Sequence, residues 1–167
     1  MRYRLDVVAA DVADIVAYAG GWLCDRVMAG WDVTVLVGAD QDVHPIHIVG
    51  ADTLALETAL ATWAERPHPH TLAVSTDLFA SDARIRRGVL QALDNGTTEV
   101  TLWGEKWPAE LGRTDSVEHR LSAAARAFKG QALAALELPA VAVGAVETFR
   151  SGMSNCLSVA ADLVPAS

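Results

Sequence analysis

The sequence predicts an α/β fold: a single three-layer domain with a mostly parallel sheet of about five strands and helices on both faces. Short β-branched segments alternate with helical patterns over residues 33–146, as expected for repeated strand–helix units. A length of 167 residues suits one domain, and a hydrophobic content of 51% supplies its core. Since no linker, low-complexity tract or long repeat divides the chain, residues 1–167 are taken as one unit.

The first part of the chain contains a long helical pattern and two short apolar segments. Residues 11–30 place apolar side chains on one helical face, and Asp11 suits the N-cap. Residues 32–37 and 45–49 are rich in Val and Ile, which predicts strands. Residues 2–8 fit either a further strand or a lead into the helix, and the sequence leaves this choice open.

The second part continues the alternation of helices and strands. Start and stop signals predict three helices and two strands: helices at 53–66, 82–95 and 115–132, and strands at 71–74 and 100–103. The apolar run Val141–Val146 has no polar face, which predicts a central strand covered on both sides. Residues 154–164 predict a last helix.

Charge and cysteine content narrow the choice of partners and compartment. The chain has 13 basic and 21 acidic residues, a formal net charge of −8, which argues against a nucleic-acid partner. No apolar run is long enough for a membrane span. The N-terminal residues lack a signal-peptide pattern, and Cys24 and Cys156 lie far apart in the sequence. A reducing cytoplasm is therefore expected.

Two glycines in the middle of the first helix indicate a close packing contact. Gly20 and Gly21 each cost a helix about 1 kcal/mol relative to alanine, so a neighbour must approach closely there. A phosphate site is not expected, because amide groups in mid-helix are already hydrogen-bonded. With Trp22 and Trp31 close by, the sequence predicts that these four residues form an interface with a second subunit.

Polar and acidic residues follow the predicted parallel strands. Ligands of open parallel sheets bind beyond the carboxyl ends of the strands. Several carboxylates at one edge could hold Mg²⁺ or supply an acid and a base, although the same residues also serve as local helix caps. The stretch Trp103–Pro108 adds two indole rings, an acid and an amine, which suits a ligand pocket. The ligand-binding candidates are Asp40, Ser75, Asp77, Trp103, Glu105, Lys106 and Trp107.

The histidine and arginine patterns give weaker evidence for a functional site. The pairs His44/His47 and His68/His70 lie beside prolines with no cysteine nearby, so no metal site is predicted. A helical strip containing Arg84, Arg86, Arg87 and Gln91 is typical of a solvated face. No phosphate loop, nucleophile elbow or zinc motif occurs, and the sequence leaves any cofactor unknown.

Two functions from different classes remain. The first is a non-catalytic cytoplasmic module that acts through protein contacts as a homo-oligomer, supported by five Trp and by the missing catalytic motifs. The second is a small enzyme that depends on a divalent metal, or a binder of a nucleotide or phosphate ligand, that uses the acidic carboxyl edge of the sheet. The sequence favours the first.

Overall fold

Eight strands of the described residues form one mixed sheet. The computed structural model describes residues 2–111, 114–138, 143–152 and 162–165. The strands are β1 (Arg4–Val8), β2 (Asp32–Val37), β3 (Asp52–Ala55), β4 (Thr71–Ser75), β5 (Glu99–Trp103), β6 (Thr114–Arg120), β7 (Val146–Gly152) and β8 (Val164–Pro165). Their order across the sheet is β3-β2-β1-β4-β5-β7-β6-β8. The five strands from β3 to β5 are parallel, and β7, β6 and β8 extend the sheet antiparallel.

Helices cover both faces of this sheet. They are α1 (Val12–Met28), α2 (His44–Ile48), α3 (Leu56–Ala61), α4 (Thr76–Ser81), α5 (Ala83–Asn95) and α6 (Ala123–Ala135). Strand side chains alternate between two apolar clusters: Val7 and Val35 pack with α1 and α6, and Val8 and Leu36 pack with α3, α4 and α5. The predicted single α/β domain with a mostly parallel sheet is therefore confirmed. No described helix is both long and apolar enough to cross a bilayer.

The predicted number of strands is wrong, because the sheet has eight strands and not about five. Residues 2–8 supply β1, which lies between β2 and β4 in the parallel half. The strand predicted at 45–49 is instead the helix α2, where Pro45 occupies the first turn, the one helical position that tolerates proline.

Two further predictions fail in the second half of the chain. The helix predicted to begin at Asp115 is a strand, β6, followed by α6, whose N-cap is Ser122. The central strand predicted at 141–146 is also wrong in its described part: residues 143–145 form a loop, and Val146 begins the strand β7. Residues 141 and 142 lie outside the described residues, as do residues 154–161 of the predicted last helix.

Gly21 permits the close approach that the sequence predicts, and its neighbour belongs to the same chain. A Cβ atom at Gly21 would overlap the side chain of Leu121, which precedes α6. A Cβ atom at Gly20 would lie 3.5 Å from Cγ of Lys129, an ordinary contact. Gly21 therefore lets the residues that lead into α6 pack tightly against α1, whereas Gly20 has room for a methyl group.

A buried ion pair occupies the middle of α1. Glu147, on β7, accepts hydrogen bonds from the backbone N–H groups of Gly21 at 2.9 Å and Trp22 at 2.6 Å. The Lys129 ammonium donates to the same carboxylate at 2.8 Å and to the Ala17 carbonyl at 2.7 Å. Burial raises the pKa of Glu147, and Lys129 with the two N–H groups opposes that rise. The expectation that these amide groups are used within the helix is thus corrected: a carboxylate binds them.

A buried arginine stacks between the two tryptophans that the sequence singled out as interface candidates. The Arg26 guanidinium lies 4.8 Å from the ring centre of Trp22 and 4.1 Å from that of Trp31. It donates to Asp162 through Nε at 2.5 Å and Nη2 at 2.9 Å, which holds the segment before β8 against α1. Trp22 and Trp31 are buried, so the structure gives them neighbours within the chain, and self-association stays a prediction.

We predict that Gly21→Ala lowers the free energy of unfolding by about 1–3 kcal/mol, because its methyl group overpacks against Leu121. Gly20→Ala is the matched control: it has room for the methyl group and gains helix propensity, so its stability should be equal or higher. Urea denaturation of both variants checks this. Equal loss of stability in the two variants would contradict the assigned contact.

We predict that Lys129→Met destabilises the protein by about 3–5 kcal/mol, because it leaves the Glu147 carboxylate buried without its counter-ion. The double variant with Glu147→Gln should recover part of the loss, since a neutral amide still accepts from the two N–H groups of α1. Thermal unfolding of the single and double variants measures the coupling. A double variant less stable than Lys129→Met would rule out the ion pair as the cause.

Candidate functional site

The carboxyl ends of β1 and β5 are joined through one carboxylate. The chain leaves β1 and enters α1 at Asp11, whose side chain caps the helix by accepting from the Asp14 N–H at 2.7 Å. Oδ2 of Asp14 accepts a hydrogen bond at 3.0 Å from the indole N–H of Trp103, the last residue of β5. The first turn of α1 is therefore fixed directly above the parallel strands, where α/β sheets bind ligands.

Burial and the several acids at this edge raise the pKa of Asp14. Burial is the largest cause, the charges of Asp11 and Asp77 add to it, and the Trp103 hydrogen bond opposes it. Tyr18 lies one helical turn beyond Asp14, and burial and the charges of Glu105, Asp14 and Asp77 raise its pKa. We call the group Asp11, Asp14, Tyr18, Asp77 and Glu105 the acidic edge.

The structure separates the predicted ligand-binding residues. Asp77, Trp103 and Glu105 belong to the acidic edge or contact it directly. Ser75 acts as the N-cap of α4, where its hydroxyl accepts from the Leu78 N–H at 3.2 Å. Among the described residues, no hydrogen bond or ion pair joins the other three, Asp40, Lys106 and Trp107, to the acidic edge.

The positions of those three residues explain their separation. Asp40 is exposed in the turn after β2, and Lys106 is exposed in the loop after β5. Trp107 is half-buried, and its ring lies 5.0 Å from the guanidinium of Arg150 on β7. The loop Trp103–Trp107 therefore contacts two regions. Its first residues lie at the acidic edge, and its last residue packs against the antiparallel strands.

Asp14 and Tyr18 are the members of the candidate site that the sequence analysis does not single out. Both lie on α1 four residues apart, so they share one helical face. The usable indication was positional: a carboxylate in the first turn after a parallel strand lies at the ligand-binding edge. This inference needs residues 2–8 to be recognised as the strand β1, and the sequence alone leaves that assignment open.

A buried hydroxyl at the same edge has no partner among the described residues. Oγ1 of Thr76, the first residue of α4, is buried and makes no hydrogen bond there. Gly104 approaches it with φ of 142°, a backbone conformation that favours glycine, and a Cβ atom at that position would overlap the hydroxyl. The edge thus holds a buried hydroxyl that is unpaired among the described residues.

The described side chains do not fit a resident metal ion. No group of three or more His, Cys, Asp or Glu is placed to hold one in the part of the chain that the structure describes. The histidines have other neighbours: His47 lies 3.4 Å from the Thr53 hydroxyl, and His70 accepts from the Arg4 N–H at 3.0 Å. The divalent metal of the enzyme interpretation therefore gains no support from these residues.

A second polar group, on the other side of α1, is structural. Asp25 accepts from the Ser122 hydroxyl at 2.5 Å and lies 2.7 Å from Nε2 of His119. Burial acts to raise the pKa of Asp25, but the hydrogen bonds from Ser122 and His119 outweigh it and lower the pKa. The carboxylate lies between the hydroxyl and the imidazole, so it orders the N-cap of α6 and does not form a nucleophile–base pair. The thiol of Cys24, whose pKa burial raises to about 11, is equally inert.

Comparisons with known proteins show the fold. No family model and no curated protein sequence matches the chain. A solved structure of the A40926 pseudoaglycone deacetylase is similar, with a TM-score of 0.64 and 15% identity over 95% of this chain and 100% of that one. The zinc-inhibited form of a teicoplanin deacetylase has a TM-score of 0.63 and 12% identity over 98% and 99%. A deacetylase–teicoplanin complex has a TM-score of 0.61 and 12% identity over 89% and 98%.

These matches overturn the non-catalytic interpretation. The solved structures just described share the fold over most of both chains, and each is a deacetylase by its description. The prediction of a module that acts through protein contacts alone is therefore wrong, and the enzyme interpretation agrees better with the comparisons.

We predict that Asp14→Asn raises the melting temperature at pH 7 and that the gain shrinks as the pH falls towards 4. The folded-state pKa of Asp14 is raised, so its ionisation at higher pH opposes folding, whereas below the unfolded-state pKa both forms are neutral. Asparagine keeps an acceptor for the Trp103 N–H. Asp40→Asn, at an exposed acid, is the control and should show a smaller pH-dependent gain. If the gain in melting temperature of Asp14→Asn over the unmodified protein stayed constant or grew as the pH fell, the assigned burial of Asp14 would be contradicted.

Proposed function

We propose that this chain is a hydrolase that removes an acyl group from an amine, with its substrate bound at the acidic edge. The proposal is supported by the fold that it shares with structures described as deacetylases. The single observation that carries it is the environment of Asp14, a partly buried carboxyl with a raised pKa at the carboxyl end of a parallel sheet.

Asp14 is the group proposed to transfer protons. As a carboxylate it accepts a proton from a water molecule while the water oxygen bonds to the acyl carbon. The protonated carboxyl then gives this proton to the amine nitrogen as the carbon–nitrogen bond breaks, which yields a carboxylic acid and an amine. The raised pKa makes Asp14 a stronger base than an ordinary aspartate, and the Trp103 N–H fixes the orientation of its carboxyl group.

The phenol of Tyr18 is proposed to position the substrate. A phenol is protonated at neutral pH, and the pKa of Tyr18 is raised further, so its hydroxyl can donate to the acyl oxygen as negative charge develops there. The roles of Asp14 and Tyr18 use side chains of this chain alone and require no metal ligand.

The charge of the acidic edge suits an amine and not a phosphate. The released amine is protonated at neutral pH, and the carboxylates of Asp77 and Glu105 attract a cation. The same charges repel a nucleotide or phosphate ligand, so that part of the enzyme interpretation is not adopted. We further propose a reducing compartment, because Cys24 carries a free, buried thiol.

The activity is tested with p-nitroacetanilide, whose hydrolysis releases coloured p-nitroaniline. We expect Asp14→Asn to reduce kcat/KM about 100-fold or more, the usual contribution of a general base. The rate of the unmodified enzyme should rise with pH through a pKa above that of an ordinary aspartate. A chelator should leave the rate unchanged, because no described residues form a metal-ligand group.

Asp94→Asn, an exposed acid at the end of α5, is the matched control and should retain full activity. Thermal unfolding confirms that each variant is folded before its rate is compared. The proposal fails if the unmodified protein releases no p-nitroaniline, or if Asp14→Asn hydrolyses the probe as fast as the control.

A further inference from the structure

A cavity lies on the opposite face of the sheet from α1. It has a volume of about 410 Å³, within the range of small-molecule pockets, and lies beneath α5 and the 3₁₀ helix Trp63–Glu65. Its floor is formed by strand side chains of the second apolar cluster, Val8, Leu72 and Val74. The indole of Trp63 and the side chain of Leu60 line its wall. The cavity therefore reaches from the surface to the apolar core.

A glycine on α5 keeps this cavity open. Gly88 lines it in the middle of the helix, where glycine costs about 1 kcal/mol relative to alanine. A Cβ atom there would lie 3.7 Å from the Trp63 ring, which is ordinary van der Waals contact. Packing of the helix thus does not require glycine, and a longer side chain at this position would extend into the cavity.

The charged groups at the mouth of the cavity are all basic. Arg84 is neutralised by Glu57 at 2.8 Å and by Asp82 at 2.9 Å. Arg87, one turn beyond, is exposed and forms no ion pair or hydrogen bond within the described residues. Gln91 follows at the next turn, and no described acid lines the cavity. An unpaired guanidinium above an apolar cavity favours an anion locally, although the chain as a whole is acidic.

We propose that this cavity binds a small amphiphilic anion, with its apolar chain on the sheet and its carboxylate at Arg87. The cavity shares no lining residue with the acidic edge, so the proposal stands independently of the hydrolase activity. Burial of the apolar chain against the floor and Trp63 supplies most of the affinity. The contact with an exposed arginine adds a smaller share and the preference for negative charge.

The experiment compares decanoate with the uncharged decanol by titration calorimetry, below the critical micelle concentration of decanoate and the solubility limit of decanol. We expect decanoate to bind more tightly than decanol to the unmodified protein. Arg87→Gln should weaken decanoate about two- to fivefold and leave decanol unchanged. Arg86→Gln is the matched control, because this arginine turns away from the cavity towards Glu110 and the Ala80 carbonyl.

Gly88→Leu tests the cavity itself, since the leucine side chain would fill it. We expect loss of decanoate binding by at least tenfold with retained folding, and an intermediate effect for Gly88→Ala. The proposal is overturned if decanoate does not bind, if decanol binds equally well, or if folded Gly88→Leu binds decanoate unchanged. An equal effect of the Arg86 and Arg87 substitutions would also overturn the assigned anion contact.

Discussion

The carboxylate of Glu147 is the point on which the two halves of the sheet depend. It lies on β7, in the antiparallel part, and binds the N–H groups of Gly21 and Trp22 in the middle of α1. Lys129 of α6 neutralises it and adds a bond to the Ala17 carbonyl. A buried carboxylate is costly unless it is paired and hydrogen-bonded. The arrangement therefore requires α1, α6 and β7 to keep their positions together.

This constraint also places the candidate site. The amino end of α1 is fixed at the top of the parallel strands, through the cap at Asp11 and the Asp14–Trp103 hydrogen bond. Its middle is fixed by Glu147, and Tyr18 lies between these two points. A helix held at both places presents Asp14 and Tyr18 rigidly, which is the property that positioned proton transfer needs. The same packing that stabilises the fold therefore orients the acidic edge.

Much of the parallel half could be predicted from the sequence, because its elements follow simple periodicities. Segments such as Asp32–Val37 and Ala83–Asn95 show the β-branched composition or the helical spacing that their structures require. The antiparallel part was not predicted. In β6, Asp115 and Glu118 have the spacing of a helix-capping pair. Pairing with β7 and β8, a tertiary interaction, makes this segment a strand.

The site was harder to predict than the fold, since its members are distant in the sequence. Asp14 and Trp103 are 89 residues apart, and no local pattern links them. The tryptophans show the same limit of prediction from the sequence alone. Their number suggested a protein interface, yet Trp22 and Trp31 enclose Arg26, and Trp63 lines a cavity. A large aromatic ring is favoured wherever much apolar surface must be covered, so composition alone does not distinguish a subunit contact from a core or a ligand pocket.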